Sequence, residues 1–282
     1  MANMFFPDDN LFDSHCHLND HSFDGDRAEV VGRATAAGVG KIVDIAIDIE
    51  CSRKAIAHAK EHTGVVFASV GIDPDVIIPS SELFQGNLDK PEAFWDEQMN
   101  EVRESILANR EQVVAIGETG MDKFWIVRNP DSKPTSEEVE KVMQRQEMLF
   151  RKHLELAVET KLPLTIHSRA CEEDCLRIVL DYPQARGVFH SYTGSYEIAK
   201  KVLDAGWSLG VNGIITFKSA QELRAMYKKI LGAISSDAQP ADFYAKGVYF
   251  ETDAPYLSPE GKRGERNEPA AVAKIWEKLL IL

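Results

Sequence analysis

The chain has 282 residues, of which 44% are hydrophobic, a length that fits one large domain with one core and is too short for three. Its formal net charge of −13 counts against a broad electrostatic grip on nucleic acid, because that binding mode relies on lysines and arginines that displace counterions. Residues 1–9 lack the basic start and apolar run of a signal peptide, and no apolar stretch approaches the roughly 20 residues of a membrane span. We therefore expect a cytoplasmic protein that has no membrane contact and no obligate protein partner.

The hydrophobic pattern predicts a strand followed by a helix eight times along the chain. Residues 41–47 are typical of a parallel strand buried on both faces, because four of them are β-branched. The predicted strands cover residues 11–18, 41–47, 64–72, 113–117, 162–167, 187–191, 207–215 and 248–252. The predicted helices cover residues 26–38, 50–62, 92–109, 136–160, 171–181, 195–205, 219–231 and 268–281.

Eight such units favour an α/β fold of the closed (β/α)₈ TIM-barrel type over an open doubly wound sheet, with a single domain over residues 1–282. No Gly-x-Gly-x-x-Gly follows the first strand, which argues against a dinucleotide site. Residues 121–136 are rich in Pro, Asp, Lys and aromatic residues and are predicted to form a loop above the strand ends. Residues 232–245, between the seventh helix and the eighth strand, are a further irregular segment, which reads as an insertion against the family pattern described below and is expected to reshape the cleft.

The first predicted strand contains a His-x-His pattern. On a strand, side chains alternate between faces, so Asp13, His15 and His17 share one face. Two imidazoles then converge on one spot, where a single transition-metal ion can reach both. One such pair is common by chance, and two histidines packed at a sheet end are the structural alternative.

Other residues that bind metals follow later strands of the predicted barrel. In a (β/α)₈ barrel the carboxyl ends of the strands meet at one face, which is where these barrels carry their chemistry. We therefore expect six metal-competent residues from five strands to converge there: His15, His17, Glu118, His167, His190 and Asp253.

Four histidines and two carboxylates exceed what one tetrahedral ion needs, and they suit two divalent ions that share a carboxylate. Glu118 lies between the two histidine groups in strand order and is the predicted bridge. Asp253 is predicted both to bind a metal and to accept a proton from an attacking water. These donors suit Mg²⁺, Mn²⁺ or Zn²⁺, and the residues alone do not choose between them.

Several remaining candidates are predicted to be structural or exposed. The four other histidines fall in a loop or on predicted helices: His21, His58, His62 and His153. Cys171 and Cys175 are four residues apart and share a helix face, but no second cysteine pair completes a zinc site.

Five co-linear motifs resemble those of the TatD-related metal-dependent deoxyribonucleases. The motifs are LFDSHCHLN (residues 11–19), GETGMD (117–122), PLTIHSR (163–169), FHSYTGS (189–195) and ETDAPY (251–256). Residues 210–218 and 263–269 extend the resemblance over nearly the whole chain.

The resemblance implies a (β/α)₈ hydrolase of the amidohydrolase-like superfamily that cuts DNA phosphodiesters, often from the 3′ end, with Mg²⁺ or a similar ion. It assigns one ion to His15, His17, Glu118 and Asp253, and the other to Glu118, His167 and His190. It also makes Arg266, together with Asn267 in the same segment, a candidate for substrate binding, since a bidentate guanidinium suits a phosphate.

The chain departs from the family pattern after the third strand. The family typically shows a His-Pro-His-like segment there, whereas this chain has Asp73, Pro74 and Asp75. Aspartates do not donate to a phosphate as a protonated imidazole does, and they repel a polyanion.

The leading function is therefore a metal-dependent DNA phosphodiesterase with 3′–5′ exonuclease-like action. The alternative keeps the metal site but hydrolyses a small amide, ester or lactone, because the same metal chemistry serves a carbonyl carbon. A barrel that serves only as a scaffold is disfavoured, since a scaffold has no need for all six ligand positions to be filled.

Overall fold

Eight parallel strands lie side by side in sequence order in one sheet. The computed structural model describes residues 4–6, 10–128, 133–235 and 237–282. Each strand pairs with the next along the chain, as expected when a helix carries the chain back between them. The strands are β1 (Phe12–Cys16), β2 (Lys41–Ile45), β3 (Val66–Val70), β4 (Val113–Asp122), β5 (Leu164–Arg169), β6 (Gly187–Phe189), β7 (Ser208–Val211) and β8 (Val248–Phe250).

Backbone hydrogen bonds just beyond β1 and β8 join the two edges of the sheet. The Asp253 N–H donates to the His15 carbonyl at 2.8 Å, and the His17 N–H donates to the Ala254 carbonyl at 2.7 Å. The sheet is therefore rolled into a nearly closed barrel. The predicted (β/α)₈ TIM-barrel fold is confirmed.

Helices surround this barrel. None of the described helices is both long enough and apolar enough to cross a lipid bilayer. The α-helices of the described residues are α1 (Arg27–Ala36), α2 (Ile49–Glu61), α3 (Glu92–Ala108), α4 (Phe124–Val127), α5 (Ser136–Thr160), α6 (Glu172–Val179), α7 (Tyr196–Asp204), α8 (Gln221–Leu231), α9 (Pro240–Tyr244) and α10 (Val272–Leu280).

Helix α5 begins at a reciprocal cap and braces the barrel. The Thr135 hydroxyl accepts from the Glu138 N–H, and the Glu138 carboxylate accepts from the Thr135 N–H, so two donors at the helix start are satisfied. His153 lies on the buried face of the same helix. Its Nδ1 donates to the Leu149 carbonyl at 2.9 Å, and its Nε2 accepts from the Ile72 N–H at 3.0 Å. This histidine therefore joins α5 to the end of β3.

The amino end of the barrel is filled by rings. We call this group the aromatic plug; it consists of Phe5, Phe6, Phe12, Tyr244 and Tyr249. Phe6 and Phe12 meet edge to face at 5.0 Å, and Tyr244 and Tyr249 stack at 5.0 Å. The polar residues predicted to carry the chemistry lie at the opposite end.

The structure differs from the predicted strand boundaries by up to two residues in six strands and by more than two residues in the other two. β4 continues to Asp122, five residues beyond the predicted end, because Asp122 still pairs with Arg169 of β5. β7 ends early, because the Asn212 side chain caps a 3₁₀ turn over Gly213–Thr216.

The two predicted irregular segments also contain short helices. Helix α4 falls within the predicted loop over residues 121–136, and α9 falls within the insertion between residues 232 and 245. Residues 129–132 and 236 of these segments lie outside the described residues, as do residues 1–3 and 7–9.

Candidate metal centre

The end of β1 presents two imidazoles to the carboxyl face of the barrel. His17 Nδ1 lies 3.1 Å from the Ile45 carbonyl, which can only accept, so Nδ1 carries the proton and Nε2 of the neutral ring keeps a lone pair. His15 Nδ1 is anchored in a similar way, 2.9 Å from Thr165 Oγ1. The two Nε2 atoms face each other at 3.3 Å. Both rings are thus oriented by hydrogen bonds on their far side, as histidine ligands of metals usually are.

Asp13 shares the strand face with these histidines but does not join them. Its carboxylate accepts hydrogen bonds from the backbone N–H and the hydroxyl of Thr252. Burial raises the pKa of Asp13 well above its ordinary value, although these hydrogen bonds oppose the shift. This residue therefore ties β1 to the segment after β8.

His15, His17, Glu118 and Asp253 form what we call the first donor cluster. Glu118 Oε2 lies 3.4 Å from His15 Nε2 and 3.7 Å from His17 Nε2. Asp253 Oδ1 lies 3.6 Å from His15 Nε2 and 3.4 Å from His17 Nε2. Four ligands placed about 2.1 Å from one ion in a tetrahedron are about 3.4 Å apart. The separations of these donor atoms fit a shared divalent ion.

Glu118, His167 and His190 form the second donor cluster. Glu118 Oε1 lies 2.8 Å from His167 Nδ1 and 2.9 Å from His190 Nε2, and the two nitrogens are 3.3 Å apart. The rings of His190 and His15 stack at 3.9 Å, so the two clusters are direct neighbours. Glu118 gives one oxygen to each cluster. The structure thus brings all six predicted ligands together, with Glu118 in the bridging position.

The electrostatics of Glu118 follow from the histidines around it. Burial alone would raise its pKa, but the charges of His190 and His15, together with hydrogen bonds from His15 and His167, outweigh burial and hold the pKa well below its usual range. Asp253 behaves in the same way, since its contacts with the histidines overcome burial and lower its pKa. Both carboxylates are therefore ionised at neutral pH.

The histidines respond to these carboxylates unequally. Burial opposes protonation of His190, yet Glu118 raises its pKa to about 10. Burial also opposes protonation of His17, but Asp253 and Glu118 raise its pKa to about 9. In His15, burial and the charge of His190 lower the pKa. Protons on His17 and His190 thus supply positive charge in the metal-free centre, and a bound metal ion would displace them.

The comparisons with known proteins identify the family of this chain. The sequence model of the family described as TatD related DNase matches residues 12–282. The chain belongs to this family. It is 32% identical over 271 residues to the uncharacterized metal-dependent hydrolase YabD of Bacillus subtilis, covering 95% of this chain and 89% of YabD. It is also 32% identical to the uncharacterized metal-dependent hydrolase TatD of Mycobacterium tuberculosis, covering 92% of this chain and 85% of that protein.

Solved structures show the same architecture. The crystal structure of YjjV, a TatD homologue from Escherichia coli, has a TM-score of 0.73 and 26% identity, and the match covers 95% of this chain and 88% of YjjV. This chain is therefore a metal-dependent hydrolase of the TatD family. Its candidate centre contains histidines, a glutamate and an aspartate that could hold a metal ion, a donor set that suits divalent ions.

Asp122 supports the second donor cluster and was not predicted to do so. Its fully buried carboxylate lies 2.9 Å from His167 Nε2 through Oδ2, and it accepts from the Trp125 N–H at 2.8 Å through Oδ1. This contact directs His167 Nδ1 towards Glu118. Burial opposes protonation of His167, but Asp122 and Glu118 outweigh burial and raise the pKa of His167 well above its usual value. The sequence carries a signal for this role, because Glu118 and Asp122 are four residues apart on one strand and share a face.

Glu251 is a second buried carboxylate that was not predicted. It accepts a hydrogen bond from the Ser191 N–H, and its Oε1 lies 3.6 Å from His190 Nδ1. A Cβ at Gly210 would lie 2.2 Å from its Oε2, so the glycine makes room for the carboxylate. Glu251 and Asp253 are two residues apart, so the sequence carries a signal that both side chains lie on the same side of the chain.

Asp73 and Asp75 lie beside the second donor cluster. Asp73 caps a 3₁₀ turn by accepting from the Asp75 N–H at 2.7 Å. Burial, followed by the charges of Glu118 and Asp75, raises the pKa of Asp73 well above its usual value. Burial also raises the pKa of Asp75 to about 6, against the opposing charge of His167. The acidic pair therefore carries less negative charge at neutral pH than its sequence implies.

The side chain of Arg266 is bound to carboxylates on the surface. Its two terminal nitrogens each lie 2.7 Å from an Asp26 carboxylate oxygen, one of them also lies 3.2 Å from Glu268, and its guanidinium lies over the Phe23 ring. A phosphate at Arg266 would have to compete with these carboxylates. The predicted contact between Arg266 and substrate remains a prediction.

Asn267 is buried beside Asp253. Its Nδ2 donates to the Thr252 carbonyl at 3.0 Å and the Tyr256 carbonyl at 2.8 Å. These bonds brace the segment that carries Asp253. Its predicted role in substrate binding likewise remains a prediction.

The other predicted structural residues lie away from the donor clusters. His58 bonds to the buried Asp44 at 2.8 Å, and the His21 side chain is 93% exposed. Among the described residues, no cysteine belongs to a group that could hold a metal. Cys171 instead lies 2.9 Å from the Met121 carbonyl.

Proposed function

We propose that this chain is a DNA phosphodiesterase, a deoxyribonuclease that removes nucleotides from the 3′ end with two divalent ions, Mg²⁺, Mn²⁺ or Zn²⁺. One observation carries the proposal: two donor clusters share Glu118, which gives one carboxylate oxygen to each. Two ions held there would activate a water, orient the substrate and stabilise the leaving oxygen of a displacement at phosphorus. The proposal includes one hydrolase domain over residues 1–282 and a cytoplasmic location.

The side chains of the first donor cluster have separate tasks in this proposal. Glu118 and Asp253 are the catalytic carboxylates, and all six donors hold the ions. Asp253 is ionised at neutral pH, and it lies within 3.6 Å of both β1 histidines. A carboxylate in that state can accept the proton of the attacking water. The hydrogen bonds at Nδ1 of His15 and His17 keep their Nε2 atoms aimed at the same point.

The second candidate function is hydrolysis of a small amide, ester or lactone. Asp73 and Asp75 beside the second donor cluster favour it, because carboxylates next to a site repel a polyanion when they are ionised. The raised pKa of Asp75, about 6, makes this repulsion smaller below pH 6 than above it.

A substrate panel separates the two candidates. The purified protein is incubated with single-stranded DNA oligonucleotides and Mg²⁺ or Mn²⁺, and in parallel with p-nitrophenyl phosphodiesters, carboxyl esters and lactones. The proposal predicts shortening from the 3′ end, abolished in Glu118→Gln. No DNA product at any metal concentration, with the protein folded and the carboxyl esters hydrolysed, would support the alternative instead.

A further inference from the structure

Two aromatic rings and an arginine lie on the rim of the barrel, outside the six donor residues. We call Phe124, Trp125 and Arg169 the rim platform. Trp125 is 44% exposed, whereas Trp95 and Trp207 are each 2% exposed, so the Trp125 indole is not part of the core. The centre of the Arg169 guanidinium lies 4.1 Å from the centroid of the Phe124 ring and 5.3 Å from that of Trp125. An exposed indole therefore stands beside a cation.

The rim platform is joined directly to the second donor cluster. Asp122 contacts His167 Nε2 with one oxygen and the backbone N–H of Trp125 with the other. Arg169 follows His167 by two residues on β5, so their side chains leave the strand on the same side. The Lys123 N–H donates to the Arg169 carbonyl at 3.0 Å, which fixes the two segments against each other. The rim platform is therefore a direct neighbour of the second donor cluster.

The charge of Arg169 is only partly offset, since it acts on Asp75 at a distance and opposes the rise in the pKa of that carboxyl that burial causes. Among the described residues, no carboxylate forms an ion pair with its guanidinium, which lies over rings instead. Arg266 differs, because Asp26 and Glu268 already bind it. A guanidinium binds phosphate well, and an exposed indole offers a face on which a base stacks. In a chain of net charge −13, such contacts have to be local.

We propose that the rim platform is a nucleotide subsite, in which Trp125 stacks on a base of single-stranded DNA and Arg169 binds a neighbouring backbone phosphate. The inference rests on the proposed function, since it places the base next to the phosphodiester that is cut. Every base has a π-face, so this subsite holds an unpaired strand with little sequence preference. Arg169 thereby supplies the phosphate contact that Arg266 supplies only in competition with Asp26.

The test compares two oligonucleotides with the same backbone, oligothymidylate and an abasic strand of equal length. Binding is measured by fluorescence anisotropy on phosphorothioate versions, which are cut slowly, and hydrolysis is measured on the phosphodiester versions with Mn²⁺. The wild type is expected to bind oligothymidylate about tenfold more tightly than the abasic strand. Trp125→Ala should lose this preference, and Trp125→Phe should keep most of it. Arg169→Ala should weaken the binding of both strands by a similar factor and leave the preference for oligothymidylate unchanged.

Two variants at residues outside the rim platform serve as controls. Arg53→Ala removes an exposed arginine on α2 that pairs with Glu101, and Trp276→Phe changes a tryptophan on α10. Both should bind as the wild type does, and thermal unfolding checks that each variant is folded. Equal binding of the two strands by the wild type, or a preference that survives in folded Trp125→Ala, would overturn the inference.

The outcomes also separate the inference from the proposed function. Cleavage of oligothymidylate with an unchanged preference in Trp125→Ala supports the nuclease and rejects the subsite. A Trp125-dependent preference without cleavage supports the subsite and rejects the nuclease. Failure of the wild type to bind either strand rejects both.

Discussion

The two ends of the barrel are built from opposite kinds of side chain. At the carboxyl end, imidazoles and carboxylates face one another with donor atoms 2.8 to 3.7 Å apart. At the amino end, the rings of the aromatic plug contact one another at centroid distances of 5.0 to 6.4 Å. Buried charge costs free energy unless partners compensate it, whereas a buried large apolar side chain stabilises a fold by about 1.5–3 kcal/mol. Stability and chemistry are therefore placed at opposite ends of the same strands.

Replacement of Glu118 by glutamine should have the largest effect at the carboxyl end. The amide removes the charge shared by both donor clusters, so both ions are expected to bind weakly and turnover to fall about a thousandfold or more. Metal content is measured by elemental analysis and activity by oligonucleotide cleavage. Glu104→Gln, at a side chain that is 73% exposed, is the matched control. Two bound ions in folded Glu118→Gln would contradict a bridging role.

Replacement of Phe12 by alanine, at the amino end, should lower the stability of the fold and leave the metal centre intact. Phe12 is 2% exposed within the aromatic plug, and deletion of a buried ring of this kind costs about 3–5 kcal/mol of the free energy of unfolding. Activity per folded molecule should stay near that of the wild type. Denaturant unfolding and metal content are measured together. Leu107→Ala, at a position that is 40% exposed, should change stability far less. Loss of the ions from folded Phe12→Ala would show that the two ends are coupled.

Replacement of Asp122 by asparagine should have a smaller effect that is confined to one ion. The amide no longer favours the Nε2-protonated His167, and loss of such a supporting carboxylate typically lowers metal affinity 10- to 100-fold. Calorimetric titration with Mn²⁺ should show one weakened site and one unchanged site. Asp24→Asn, at an exposed aspartate, is the control. Equal weakening of both sites would contradict a role of Asp122 that is confined to the second donor cluster.

The pH should act with opposite signs on the stability of the metal-free fold and on the metal affinity of the carboxyl end. In the metal-free protein the pKa of His190 is raised from 6.5 to about 10, so its protonated form stabilises the fold fully below pH 6.5, and this contribution is lost as pH rises through about 10. Metal binding requires the deprotonated ring, so affinity should rise with pH, by about tenfold per unit for each proton displaced. Thermal unfolding with a chelator, and metal titration at pH 6.5 and 7.5, measure the two slopes. Parallel slopes would contradict the assignment of His190 as a ligand.

The barrel and the six donors were accessible from the sequence because both follow from short-range patterns. β-branched runs such as Lys41–Ile45 predict buried parallel strands, and the strand ends of one barrel must meet. Boundaries were less accessible. β4 runs on to Asp122 because its partner strand continues to Arg169, a tertiary pairing that no local propensity encodes.

The residues that support the donors were missed for a similar reason. Asp122 stands in the same motif as Glu118, and Glu251 in the same motif as Asp253. Residue type alone does not show which carboxylate of a motif joins a donor cluster and which one contacts the outer ring nitrogen of a histidine in it. Strand alternation places both carboxylates of a motif on one face of the strand, but it does not give the distance of each from the donor clusters. Trp125 lay within a predicted loop, where sequence gives no measure of exposure.

The central claim is that Glu118 bridges two metal ions at the carboxyl end of the barrel. Crystals soaked with Mn²⁺ and measured for anomalous scattering test it directly. Two peaks about 3.5–4 Å apart are predicted, one beside His15 and His17 and the other beside His167 and His190, with Glu118 between them. A single peak distant from Glu118, or no peak at saturating Mn²⁺, would contradict it.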